Sequence, residues 1–177
     1  GTAELDTRRR VGLPSTEGRN HRRSRHIRAT HRRLTDVLRQ DFLTRQLSAL
    51  FAALQRATAR LEDEDVDGAM KEVDQGYTLL PGVDRSLLSY LSADAICDSL
   101  GDEVRLRALA RLRATEAAVL TQKRAASPER VLRVAYQALL LYREVGVGGE
   151  EADAAVVQRL LACIEHLEAA KSAAGTA

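Results

Sequence analysis

The sequence predicts an all-α domain of antiparallel helical hairpins, preceded by a disordered basic N-terminal arm. Three observations point there. Alanine and leucine, both strong helix formers, dominate the apolar residues, while aromatics make up 3% of the 177 residues. With 11 Gly and 3 Pro, the chain lacks the turn punctuation of an all-β fold. Apolar residues recur at three- and four-residue steps, and no segment sustains a period of two. A hydrophobic share of 45% against 29% charged is a globular balance, and the length suits one ordinary domain.

The net charge of +2 conceals two regions. Residues 1–36 hold ten Arg, no Lys and four acids (Glu4, Asp6, Glu17, Asp36), a charge of +6; the other 141 residues carry −4. Between Arg19 and Arg33 (RNHRRSRHIRATHRR) the one sizeable aliphatic residue is Ile27. Such a segment has no apolar face to bury and is expected to be disordered. In one reading Arg22, Arg23, Arg25, Arg28, Arg32 and Arg33 bind nucleic acid by neutralising phosphates, without aromatic platforms for bases. In the other, which is favoured, the arm is a passenger upstream of the natural protein, which then starts near Val37. The single methionine is Met70, and 24 Arg against 3 Lys suit a GC-rich genome whose upstream frames stay open. His21, His26 and His31 are spaced by five, share no helix face and make a poor metal site.

The helical domain is expected over residues 37–171. From Asp41, the residues Leu43, Leu47, Leu50, Phe51, Leu54, Ala57 and Leu61 form one apolar stripe, the mark of an amphipathic helix. An acidic loop, Glu62 to Asp67, leads into a second helix bearing Ala69, Met70, Val73, Tyr77 and Leu80, which Pro81-Gly82 stops. Asp67 is its expected N-cap. A short helix after Asp84 carries Leu87, Leu88 and Leu91; another after the cap Ser92 carries Ile96 and Leu100 and closes at Gly101. Asp102 opens a long helix reaching about Arg124. One stripe of it holds Leu106, Leu109, Ala110, Ala117 and Leu120, and the opposite side holds Val104, Ala108, Leu112 and Val119. A helix apolar on two faces lies between layers. Ser127-Pro128-Glu129 is a strong helix start for a segment with Val131, Ala135, Ala138, Leu139 and Tyr142 that ends at Gly146. The last helix bears Val157, Leu160, Leu161, Ile164 and Leu167, and residues 172–177 form a frayed tail. That makes seven helices or fewer.

Ala69, Val73, Gly76 and Pro81 stand at the offsets of the second half of a tetratricopeptide repeat, and Ala138 and Tyr142 echo it. Arg56 and Arg60 depart from the first half, where the repeat has a leucine and an aromatic. The opening RQDFLTRQLSALFAALQRATARL, followed by an acidic turn and GAMKEVDQGYTLLPG, resembles an uncharacterised bacterial family of tetratricopeptide-like helical proteins that begin near this RQDF. The resemblance covers residues 38 to about 168. It implies a tetratricopeptide-like helical fold and no particular activity.

Four motifs bear on chemistry. DEDVDGAMKEVD, Asp63 to Asp74, has the acids Asp63, Asp65 and Asp67, then Gly68 and Met70, in the order of a calcium-binding EF-loop. Asp74 stands where that loop needs a longer bidentate Glu, and no second loop pairs with it, so an acidic helix–helix turn is the preferred reading. Cys163, Glu165 and His166 lie close on the last helix, but zinc needs more ligands and Cys97 is the one other cysteine; a Cys–His nucleophile has no orienting third group. Gly146, Gly148 and Gly149 precede a helix, yet no strand leads into them and Glu150, Glu151 and Asp153 would repel a phosphate. Arg105, Arg107, Arg111 and Arg113 give the long helix two basic faces, read as solvated or paired with acidic turns ahead of a ligand groove.

No acid–base pair, nucleophile set or phosphate loop survives this weighing. The expected function is therefore a non-enzymatic module that binds another protein or itself, as a homodimer, without a cofactor. Nucleic acid enters only through the arm, and a calcium-responsive protein using Asp63, Asp65, Asp67 and Asp74 is the second alternative. Phe42, Ala49 and Ala53, flanking the stripe of the first helix, are the expected contact residues. Two cysteines, no apolar signal region and no bilayer-length apolar run point to the cytoplasm and away from membranes.

Overall fold

The computed structural model describes residues 17–123, 125–146 and 151–174, with side chains from Gln40 onward except at positions 151, 152 and 174. These residues form seven α-helices and no strand. They are α1 (Glu17–Glu62), α2 (Val66–Leu79), α3 (Arg85–Leu88), α4 (Ala93–Leu100), α5 (Glu103–Gln122), α6 (Pro128–Val145) and α7 (Glu151–Ala174). The all-helical expectation holds, and α3, α4, α5 and α6 start where their sequence signals stand.

The chain divides into two compact units, residues 1–42 and 43–177. In the first, the backbone is helical from Glu17, twenty residues before the expected end of the disordered arm. Arginine and alanine are good helix formers without any apolar face, and no proline falls between Pro14 and Pro81. Residues 1–16 lie outside the described residues.

In the second unit α5 is central, as its two apolar faces predict: it packs against α2, α4, α6 and α7, while α6 packs against α4 and α7. Leu109, Leu112, Val119 and Leu120 of α5 are fully buried, with Leu50 from α1, Val73 from α2, Leu141 and Tyr142 from α6, and Ile164 from α7 around them. Val104 departs from the expected second stripe and is exposed, one residue from the helix start. Close approach of α2 depends on Gly76. A Cβ there would fall 2.7 Å from Leu112 Cδ1 and 3.1 Å from Leu50 Cδ1.

The caps follow the sequence at Asp84, Ser92, Asp102 and Ser127, whose side chains accept from backbone N–H groups of the first turn, and Gly101 ends α4 in the left-handed conformation at φ 58°. At α2 the cap is Asp65 in place of the expected Asp67: its carboxylate accepts from Gly68 N at 2.9 Å. The helix begins two residues earlier than expected, with Val66 helical and Asp67 in its first turn. α7 continues to Ala174, three residues into the expected frayed tail.

Candidate functional site

Between α2 and α5 lies a segment, residues 80–102, that contains the short helices α3 and α4 and holds three of the eight exposed large hydrophobic residues among those described. Of the three leucines expected to pack from α3 and its continuation, Leu88 alone is buried. Leu87 is 54% exposed, Leu91 41%, and Tyr90 between them 86%. Beside them opens a pocket of about 330 Å³ lined by Val83, Leu87, Leu88, Leu91, Ile96 and Leu100 among others. This is the lower edge of ligand-cavity sizes, about 300–1,000 Å³.

The underside of this segment is held by buried polar groups. Glu116, on the central helix, has a side chain only 2% exposed. Its Oε2 accepts from Tyr77 Oη at 2.5 Å and from Arg113 Nη1 at 2.8 Å; its Oε1 accepts from Arg85 Nη2 at 2.6 Å and Nε at 3.2 Å. Arg85 belongs to α3, so the carboxylate ties the short helix to the core. The same guanidinium stacks 4.9 Å over the Tyr77 ring and bonds Asp74. Arg113 also donates to Gln137 Oε1, and Gln137 Nε2 donates to the Leu88 carbonyl at 2.8 Å and the Leu91 carbonyl at 3.5 Å. Arg105 donates to the carbonyls of Pro81 and Leu100. Gln137 and Arg105 thus hold the backbone of the segment and Glu116 holds its Arg85 side chain, while Leu87, Tyr90 and Leu91 stay exposed.

Burial works to raise the Glu116 carboxyl, but the charges of Arg113 and Arg85 and the Tyr77 hydrogen bond outweigh it and hold the group below the ordinary carboxylate range. Burial, with the neighbouring Glu116 charge, pushes the Tyr77 hydroxyl well above its usual value. Both groups are therefore locked in one protonation state near neutrality.

A second cluster joins α5 to α7. Asp153 is fully buried and accepts from Arg107 Nη1 at 2.9 Å and Arg111 Nε at 2.7 Å. Tyr142 Oη reaches it at 3.5 Å, and Arg111 stacks 5.3 Å from the Phe51 ring centre. Arg105, Arg107, Arg111 and Arg113 of α5 are thus engaged within the fold, and none of the four lines either of the two pockets described. Neither Glu116 nor Asp153 was singled out for such a role by the sequence. For Glu116 a signal existed: Leu109, Leu112, Arg113, Glu116 and Leu120 recur at helical spacing, so an acid and a base share the buried face.

A cleft of about 470 Å³ lies among α1, α5 and α7, over Ala114, Ala117 and Ala118, with Thr58, Thr115 and Thr121 along it. Thr121 Oγ1 stands 3.4 Å from Cys163 Sγ. His166 and Glu165 are exposed on α7.

The expected site residues fare as follows. Phe42 is 57% exposed and Ala49 is exposed, but Ala53 is fully buried and cannot be a contact residue. Ala53 follows Leu50 by three residues and precedes Ala57 by four, so helical spacing sets it on the inward face. The acids of the EF-like turn diverge: Asp65 pairs with Arg60 at 2.7 Å, Asp67 with Lys123 at 3.1 Å, and Asp74 with Arg85. Asp63, Asp65, Asp67 and Asp74 are not brought together, and the described residues contain no acid, His or Cys group arranged to hold a metal. The side chains of Arg22, Arg23, Arg25, Arg28, Arg32 and Arg33 lie outside the described residues. Among those described, no helix is long and apolar enough to cross a membrane. No family model, curated protein or solved structure matches the chain.

Proposed function

We propose that this chain is a non-enzymatic, tetratricopeptide-like helical module that binds another protein or itself, with the segment spanning α3 and α4 as its contact surface. The observation that carries the reading is the exposure of Leu87, Tyr90 and Leu91 within five residues, beside an apolar pocket. Apolar side chains gathered at the surface mark interaction sites, and aromatic residues next to a pocket are the usual anchors of an interface. The commitment of Glu116, Asp153 and the α5 arginines to internal pairs supports a structural role for them over an acid–base one. The close packing at Gly76 supports the repeat-like reading of α2, in which a small residue lets helices approach. The free thiols Cys97 and Cys163 suit the cytoplasm.

Photocrosslinking tests this reading. Benzoylphenylalanine at position 90, introduced into the chain in its own cells, is expected to trap a protein or a second copy. The same group at exposed Glu129 serves as control. Equal trapping at both positions, or none at 90, overturns the proposal.

A further inference from the structure

Residues 82–100 join the rest of the fold at a single neck. The carbonyls at its two ends both accept from the guanidinium of Arg105: Nη2 donates to Pro81, and Nη1 to Leu100 at 3.4 Å. Each end carries a glycine at positive φ, Gly82 at 80° before α3 and Gly101 at 58° after α4. Small residues at the ends of elements commonly serve as hinges, because they absorb changes of φ and ψ. Between the two glycines the segment is self-contained. Its backbone-to-backbone hydrogen bonds stay within residues 82–101, as from Leu88 to Asp84 at 3.3 Å and from Ile96 to Ser92 at 3.1 Å. The apolar pocket is lined throughout by residues of the segment itself and therefore travels with it.

Attachment beyond the neck is thin. Within 82–100 the buried residues are Leu88, Ala93, Ile96 and Leu100, whereas eleven residues of α5 are buried. The polar ties come from side chains: Gln137 at the Leu88 and Leu91 carbonyls, and Glu116 at the Arg85 guanidinium. We infer that residues 82–100 form a hinged flap, which swings off α5 and α6 as one body about Gly82 and Gly101. Arg105 pins its two ends together, and Gln137 and Glu116 are its latch. Opening breaks no backbone ladder and uncovers little apolar surface, and segments of that kind open at lower free energy than the core. Because α3 leads in and α4 leads out through the same guanidinium, the two short helices move together. The swing brings water to Glu116, Arg113 and Gln137, which the closed flap shuts in. This motion goes beyond the contact role proposed above and holds whether or not Leu87, Tyr90 and Leu91 meet a partner.

Native-state hydrogen exchange on the full chain, read amide by amide in rising sub-denaturing urea, tests the flap. The amides of Leu88 and Ile96, one in each short helix, should report the same opening equilibrium with the same urea slope. Their protection should lie at least about tenfold below that of Leu109 in α5, which reports the core. Gln137→Leu removes the latch at the Leu88 carbonyl and should speed exchange at Leu88 and Ile96 alike, by about tenfold for one buried hydrogen bond. Arg105→Met unpins the neck and should separate the two values. The unsubstituted chain is decisive even if a variant loosens the whole fold. Leu88 and Ile96 exchanging only at the level of Leu109 would mean that no flap opens apart from the core. Different urea slopes at the two amides, or no slope at either, would mean separate local fraying. Each of these results overturns the inference, as does an unchanged match between the two amides in folded Arg105→Met.

Discussion

Replacing Glu116 with Gln is the sharpest perturbation of this fold. The carboxylate is almost wholly enclosed and is shared by Arg113 and Arg85, with Tyr77 donating to it as well. Glutamine keeps the volume but removes the charge, leaving two guanidinium groups without their common anion. Arg113 is 3% exposed, and its Nε already has no acceptor among the described residues. Stripping one partner from a buried pair costs about 3–5 kcal/mol, set against about 5–15 kcal/mol of total stability for a domain. At ~2–4 °C per kcal/mol for this chain length, the melting temperature should fall by roughly 6–20 °C. Urea titration followed by circular dichroism would measure the loss, and hydrogen exchange would show where it acts. Amides of residues 85–100 should lose protection first, because Arg85 is then untied from the core. A loss below about 1 kcal/mol, or protection unchanged in that segment, would refute the role assigned to the carboxylate.

Three further outcomes are expected. Leu109→Ala, at a fully buried position of α5, should cost about 2–5 kcal/mol; Leu47→Ala, only partly buried against the core, should cost clearly less, and equal losses in urea titrations would contradict the packing. Asp153→Asn should destabilise by several kcal/mol, about 3–5 for a broken buried pair, and exposure of Cys163 to a thiol reagent would report loosening of α7. Acid should destabilise the chain in a defined window: the Glu116 and Asp153 carboxyls are both held below the ordinary range. Their contribution is complete above the unfolded values, about 4, and is lost as pH falls through the lower folded ones. A melting temperature that stays constant down to about pH 3 would contradict this.

Helix starts and stops were readable because they rest on local chemistry. A side-chain oxygen three residues ahead of an N–H, as at Ser92 and Ser127, needs nothing distant to act. The centrality of α5 was readable from its two apolar faces. The acidic turn before α2 was ambiguous, since several aspartates could cap and the choice fell to Asp65, which Arg60 also holds. The tie between Arg85 and Glu116 was hidden, because they are 31 residues apart and, although the spacing of α5 sets Glu116 on a buried face, nothing in the α3 segment shows where Arg85 will turn. The exposure of Leu87 and Leu91 was hidden for a related reason. A four-residue helix has too few turns for its apolar period to fix an inward face, and distant groups, Gln137 at its Leu88 carbonyl and Glu116 at its Arg85 side chain, decide which side faces out.

The threonines of the cleft among α1, α5 and α7 give that surface a character its composition conceals. Thr58, Thr115 and Thr121 each turn the hydroxyl back to the carbonyl four residues earlier, Leu54, Arg111 and Ala117, at 3.1, 3.0 and 2.8 Å. Hydroxyls spent on their own helices in this way offer the cleft mainly methyl groups. The polar partners a water would need there come instead from Glu62, Gln122 and Arg159, which also line the cleft. Along its threonines the groove is oily where the sequence reads polar, and exchange of Thr58 or Thr115 for the near-isosteric valine would scarcely change what those positions present.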